Sequence, residues 1–221
     1  MKKIIIVCED LFGLEIYSIL NEINTYNKKN SMLTEYYDIQ GFICNNLEIF
    51  KEVSVSKPVL GRIDEWIPKG EIDYIMGIKN PETKEKYSLL LKSRGARFLT
   101  VITPWTLMPN RKNIGEGCVI SNYSFKDRAV FGKFVTMINV MAGAAKVGDY
   151  TTVDALANIT NAEIGEKVVV GAHAFLMEHI KVGGGAVIYP GSMVYANVQE
   201  GVKVAGIPAN RIKYNKLNER K

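Results

Sequence analysis

Few side chains in this 221-residue chain can move a proton near neutral pH. Histidine suits that work best, and the chain has two, His173 and His179, six residues apart. Three cysteines, Cys8, Cys44 and Cys118, stand far apart without C-x-x-C spacing. That excludes a disulfide framework and a thiolate zinc cluster, and points to buried thiols in a reducing compartment. Glu9 and Asp10 close the first apolar run. They suit a helix start but would repel a phosphate placed there. Cations gather at the far end: Lys203, Arg211, Lys213, Lys216, Arg220 and Lys221 against Glu219 alone, a surplus equal to the chain's net charge of +5. A solvated end or a grip on a phosphorylated small ligand fits such a tail. Nucleic acid is not expected, because no aromatic-interleaved surface or helix-turn-helix spacing accompanies the charge.

These groups need a frame. Apolar residues make up 47% of the chain and charged ones 23%, ordinary globular values. The run Ile4 to Cys8 is too short for a membrane span or a secretory core, so no membrane span and a cytoplasmic location are expected. Residues 1–109 alternate strand and helix. Ile4 to Cys8 reads as a strand buried on both faces, Phe12 to Ile23 as a helix with apolar residues at Phe12, Ile16, Leu20 and Ile23, and Tyr37 to Cys44 and Ile72 to Ile78 as further strands. Asn80 and Pro81 open a second helix that runs through Leu91 to Gly95, and Arg97 to Ile102 returns as a strand. This order implies a Rossmann-like α/β domain with a small parallel sheet and right-handed crossovers. Such sheets bind ligands at the carboxyl ends of their strands, which makes Gly13, Asn45 and Asn80 the substrate-binding candidates.

From Ile114 the period becomes six. Aliphatic residues open hexads at Ile164, Val170, Leu176, Val182, Ile188 and Val194, with Val168, Ala174, Ile180, Ala186, Ser192 and Val198 at the fifth places. Shifted phases precede them: Val147, Val153 and Ile159; Phe131 and Met137; Ile114 and Ile120. Ile180 is large for a fifth place, and Glu163 fits it worst, beside a slip in phase. A six-residue repeat fits a three-sided prism of short parallel strands, one face and one corner per hexad, with residues 18 apart stacked. Residues 110–200 are therefore expected to form a parallel β-helix of hexapeptide repeats, with 201–221 as a basic C-terminal tail. Both histidines fall at fourth places and so leave from different faces. That argues against a zinc site, which would need three His ligands gathered at a subunit interface, and no metal is expected.

Gly185 to Val198 and Val204 to Lys213, with Gly206-Ile-Pro-Ala209 inside the latter, resemble the closing coils of hexapeptide-repeat acyltransferases, whose prism is left-handed. Gly41 to Ile43, Pro58 to Gly61, Gly95 to Phe98 and Ile102 to Pro104 extend the resemblance to sugar O- and N-acetyltransferases of the sialic acid and bacillosamine type. The resemblance implies a homotrimer, acetyl-CoA as cosubstrate in the groove between prisms, and a sugar or nucleotide-sugar acceptor for surface glycan synthesis. It makes Gly171, Gly191, Gly206, Pro208 and Ala209 the cofactor-side candidates, with Lys203, Arg211 or Lys213 meeting CoA phosphates.

The sequence departs from that pattern where the chemistry should be. The family's catalytic His corresponds to Gly143, followed by Ala144 in place of its acidic partner, and a second family His corresponds to Thr152. Asn210 stands where the terminal element has Lys. Cys8 to Gly13 keeps only Gly13 of the family's glycine-rich turn, and Cys44, Asn45 and Asn46 replace its acidic residues. His173, after the corner at Gly171, is the remaining candidate for the base. The alternative is a catalytically impaired binding or scaffold protein on the same prism.

Overall fold

The computed structural model describes residues 2–30, 36–51, 55–107, 111–121 and 128–212. Lys213 and the cations after it lie outside these residues. Strand β1 (Lys2–Cys8) leads into helix α1 (Phe12–Lys29), then β2 (Tyr37–Cys44), β3 (Val59–Gly61), β4 (Asp73–Gly77), helix α2 (Pro81–Ser93) and β5 (Arg97–Phe98). The five strands form one sheet in the order β3-β2-β1-β4-β5, every pair parallel. Successive residues of β1 serve opposite faces. Ile4, Ile6 and Cys8 pack with Phe12, Ile16 and Leu20 of α1, while Ile5 and Val7 pack with Tyr87 and Leu91 of α2. A strand covered on both sides has no polar face to show, which is why the run reads as uninterrupted. Gly13 lets α1 start against β1, since a Cβ there would collide with the Cβ of Cys8.

The strand expected across Arg97 to Ile102 is two strands. β5 closes the α/β sheet, and β6 (Val101–Ile102) pairs with β7 (Val119–Ser121) in the next sheet. The prism continues through β8 (Val130–Phe131), β9 (Thr136–Ile138), β10 (Lys146–Val147), β11 (Thr152–Val153), β12 (Glu163–Ile164), β13 (Val169–Val170), β14 (Phe175–Leu176), β15 (Lys181–Val182), β16 (Val187–Ile188), β17 (Met193–Val194), β18 (Lys203–Ala205) and β19 (Asn210–Arg211). Its first face runs β6-β7-β9-β11-β13-β16-β18-β19. The second, next along the chain, joins Met141, Asn158 and β14 by single bridges and β14 to β17. The third holds β8, β10, β12 and β15. The segment read as a basic tail enters the prism as far as Ile212, with β18 parallel to β16 and β19 turned back antiparallel on β18.

The expected stacking interval of 18 holds between β6 and β7 and again for β12–β15, β13–β16 and β14–β17, but not in the coils between them or in the last coil. Ile164 lies beside Val182, but Val147 lies beside Ile164 and Phe131 beside Val147, at intervals of 17 and 16. One residue fewer in a corner shifts the phase without disturbing the inward aliphatic column, and this resolves the awkward fifth place. Ala162 points inward at 1% exposure, while Glu163 points out between Lys146 and Lys181 at 3.0 and 3.3 Å. Bonding to those two ammonium groups holds the Glu163 carboxyl below the usual range. The last hexad is shortened as well: Val198 stacks on Val182 and so fills an aliphatic place.

The three faces meet different surroundings. The early coils of the first face are covered by the α/β domain, so that Val119, Thr136 and Thr152 are all buried. The third face carries the Lys146, Glu163 and Lys181 ladder. The second exposes Met141, Phe175, Met177 and Tyr195.

Candidate functional site

Two regions meet where the prism contacts the carboxyl end of β4 at Lys79. The sequence-derived ligands are already engaged. Asn45 donates through Nδ2 to Asp64 Oδ2 and to the Tyr87 hydroxyl, both at 2.9 Å, and so ties the loop after β2 to α2. The Asn80 Oδ1 caps α2, accepting from the Thr83 backbone N–H at 2.9 Å and its hydroxyl at 3.0 Å. Gly13 is buried beneath the turn. Behind it the Cys8 and Cys44 thiols are side by side and fully buried. Bonding to Cys44 and burial both raise the Cys8 thiol, so it stays protonated.

The charged groups at the junction of the α/β domain and the prism are ones the sequence did not single out. Lys79, just after β4, places Nζ 3.1 Å from Asp154 Oδ1 of the prism and 3.8 Å from Glu15 Oε2 of α1, and 4.8 Å from the centre of the Phe12 ring. These three charged side chains are part-exposed. Beneath them Lys84 of α2 is wholly buried, at 0% exposure. Its Nζ donates to Phe134 O at 3.0 Å, Thr136 Oγ1 at 3.1 Å, Thr152 Oγ1 at 2.9 Å and Thr151 O at 3.4 Å. Burial pushes its amine down to about 7, against smaller opposing pulls from Cys118 and Asp154. The Cys118 thiol is itself raised to about 12 by burial. A signal for Lys84 was present, since it falls on the stripe of Pro81, Tyr87 and Leu91 that α2 buries.

The acyl-side candidates collect on the edge between the first and second faces. Asn139, Leu156, His173 and Gly191 all turn this corner with positive φ and stack through their backbones: Leu156 N donates to Asn139 O at 2.7 Å, His173 N to Ala155 O at 3.0 Å and Gly191 N to Ala172 O at 2.8 Å. Gly171 lies just before the His173 corner, packed so closely on Pro190 that a Cβ would come within 2.6 Å of the Pro190 nitrogen. The terminal element closes the column. Gly206 O accepts from Met193 N at 3.0 Å, and Ala209 N donates to Met193 O at 2.8 Å, with Pro208 between them. Lys203 and Arg211 leave the flanking strands β18 and β19. His173 therefore stands one coil from the Asp154 corner, about 5 Å along the prism, and one coil from Gly191. His179 turns the opposite edge, its N–H bonded to Asn161 O at 3.2 Å, and forms no ion pair with Glu178 among the described residues.

Gly143 and Thr152, the two positions at which the resemblance expects histidine, are both closed by their surroundings. Gly143 is buried with φ +39°, and a Cβ there would approach Thr160 Cγ2 to 2.6 Å. Thr152 accepts from Lys84 and donates to Lys79 O at 2.6 Å. Among the described residues no group of three or more His, Cys, Asp or Glu side chains could hold a metal ion, and no helix is long and apolar enough to cross a membrane.

No protein-family model matches the chain. A 50-residue stretch, 23% of the chain, is 46% identical to 2,3,4,5-tetrahydropyridine-2,6-dicarboxylate N-acetyltransferase of Clostridium perfringens, and spans only 21% of that relative's length. Whole-chain likeness appears in structure. The acetyltransferase domain of PglB from Neisseria gonorrhoeae, in complex with acetyl coenzyme A, superimposes with a TM-score of 0.73 at 18% identity, covering 96% of this chain and 99% of that one. A variant of perosamine N-acetyltransferase from Caulobacter crescentus, in complex with CoA and GDP-perosamine, gives 0.75 at 13% identity over 97% and 98%. WeeI from Acinetobacter baumannii gives 0.66 at 22% over 96% and 100%. From its first strand to its terminal element, the chain has the fold of the hexapeptide-repeat sugar N-acetyltransferases.

Proposed function

We propose that the protein is an acetyl-CoA-dependent acyltransferase on a left-handed prism, working as a cytoplasmic homotrimer on an amine or hydroxyl of a sugar or nucleotide-sugar acceptor for surface glycan synthesis. The observation that carries this reading is the shared edge. One column brings the junction at Asp154, the imidazole of His173, the corners at Gly171 and Gly191 and the terminal element at Gly206 to Ala209 within a few coil steps. Around Gly191 a Cβ would meet nothing within 4 Å, so the edge is open where a pantetheine arm must approach backbone.

In this reading the acceptor nitrogen or oxygen attacks the thioester carbonyl carbon and its proton passes to His173 Nδ1 or Nε2. The N–H groups of Gly171, His173, Ala174 and Gly191 are already bonded within the prism, so they do not supply the donors for the oxyanion. The C–S bond then breaks, the sulfur leaves as thiol with the proton returned to it, and the acetylated acceptor and CoA depart. Lys203 and Arg211 are the cations assigned to the CoA phosphates. GDP-perosamine in a relative of the same fold supports a nucleotide sugar as acceptor, while Glu9 and Asp10 at the start of α1 argue for a diphosphate held elsewhere than at that turn.

The uncovered second face supports the trimer. The early coils of the first face are under the α/β domain and the third face carries alternating charges, while the second presents Met141, Phe175, Met177 and Tyr195, exposed apolar side chains of the kind a partner covers, interrupted by Asn158 between Met141 and Phe175. Phe175→Glu is expected to convert the trimer to monomer in sedimentation and to abolish turnover with it. A parental protein that sediments as a monomer would remove this part of the reading.

Gly143 and Thr152 favour the second reading, a non-catalytic binding protein. Calorimetry with CoA and thiol release from acetyl-CoA over an acceptor panel separate the two: binding with release supports the enzyme, binding without release the scaffold, and absence of binding defeats both as CoA-linked proteins.

A further inference from the structure

Lys84 is a cost the fold sustains without an ion pair. Its ammonium has been taken out of water and faces two carbonyls and two hydroxyls with no carboxylate in contact, although burying an unpaired cation is among the least favourable arrangements in a protein. Ordinary docking of α2 on the prism does not require it, because a leucine or methionine would fill the same stripe. What Lys84 adds is a chain of bonds. It donates to Thr152 Oγ1, and that leaves the hydroxyl proton of Thr152 for Lys79 O at 2.6 Å. Lys79 is the residue whose ammonium lies between Asp154 and Glu15, and its carbonyl belongs to the backbone from which that side chain departs. Thr136 supplies a built-in comparison: it accepts from Lys84 in the same way, one coil earlier, and among the described residues it is not bonded to Lys79.

We propose that Lys84 is a positioning residue, acting through Thr152 to fix the Lys79 backbone so that the part-exposed Lys79 ammonium is held between Asp154 and Glu15, where it meets the oxygens of the acceptor. This rests on the acyltransferase reading for its substrate, and on geometry alone for the bond chain. Polarity then decides the variants. Thr152→Val removes the hydroxyl that joins Lys84 to Lys79 and keeps its shape. Thr136→Val removes an equivalent acceptor from Lys84 and leaves the join intact.

Acceptor KM, acetyl-CoA KM, thermal midpoint and the rate of Lys79 labelling by acetic anhydride, read by mass spectrometry, are compared across parent, Thr152→Val, Thr136→Val and Lys84→Met. Thr152→Val is expected to raise acceptor KM about tenfold or more, to leave acetyl-CoA KM within twofold, and to speed Lys79 labelling at least threefold as the pair with Asp154 loosens. Thr136→Val is expected to lower the midpoint by a similar amount and move neither KM nor labelling. Lys84→Met, if it folds, follows Thr152→Val. Equal behaviour of the two valine variants would overturn the proposal, because a merely structural lysine predicts that equality. If the parent turns over no acceptor, the acyltransferase reading falls, and the labelling comparison still decides whether Lys84 positions Lys79.

Discussion

His173→Asn is expected to reduce acyl transfer at least about a hundredfold, the usual scale for loss of a general base, while the thermal midpoint stays within a degree or two. Asparagine is the right replacement because His173 turns its corner at φ +58°, a conformation that asparagine tolerates and alanine does not. An alanine variant would mix lost chemistry with backbone strain in the column that also positions Leu156 and Gly191. The asparagine variant keeps the corner and removes only the imidazole. The kcat should fall with little change in acetyl-CoA KM. Unchanged kcat would free His173 of a catalytic part and leave proton removal to solvent or substrate.

Stability should rise with pH across the interval in which Lys84 is neutral when folded and charged when unfolded. Its folded value of about 7 lies below the ordinary 10.5, so between these limits the unfolded chain binds the extra proton and each pH unit favours the folded state by up to about 1.4 kcal/mol. Below pH 7 both states are protonated and the full penalty of the buried cation is present. The groups facing the amine do not blur this window: the Cys118 thiol stays protonated to about 12, and the remaining contacts are hydroxyls and carbonyls. Urea unfolding of parent and Lys84→Met at pH 6.5 and 9.5 isolates the effect, because other titrations cancel in the difference. The parent should gain roughly 3 kcal/mol on the variant over that span. A difference that is flat with pH would mean that the amine keeps its proton in the folded state, held by the four oxygens.

Much of this architecture is legible in the sequence because it is written as period. The hexads announce the prism, and an all-apolar β1 announces a sheet covered on both faces. Period says nothing of where a strand changes partner, so Arg97 to Ile102 reads as one strand although β5 and β6 serve different sheets. Nor does it register a coil shortened by one residue, which is why Glu163 seems to occupy an inward place that Ala162 fills. The site is harder to read for a physical reason. Its groups come from a strand end, two helices and two prism corners distant in sequence, and spacing cannot reveal that Lys79, Asp154 and Glu15 converge. Asn45 and Asn80 sit where strand ends bind ligands, yet their amides are spent on Tyr87, Asp64 and Thr83. Lys84 carried a local sign, a cation on a buried stripe, whose meaning depends on the Thr136 and Thr152 hydroxyls more than fifty residues away.

A crystal structure of the protein with CoA tests most directly the edge that runs from Asp154 through His173 to Gly206. The expected result is the sulfur beside the His173 corner, with the pantetheine arm along Gly171 and Gly191 and the terminal element against the adenosine end. CoA bound at the edge that carries His179, or no CoA bound at millimolar concentration, would contradict it.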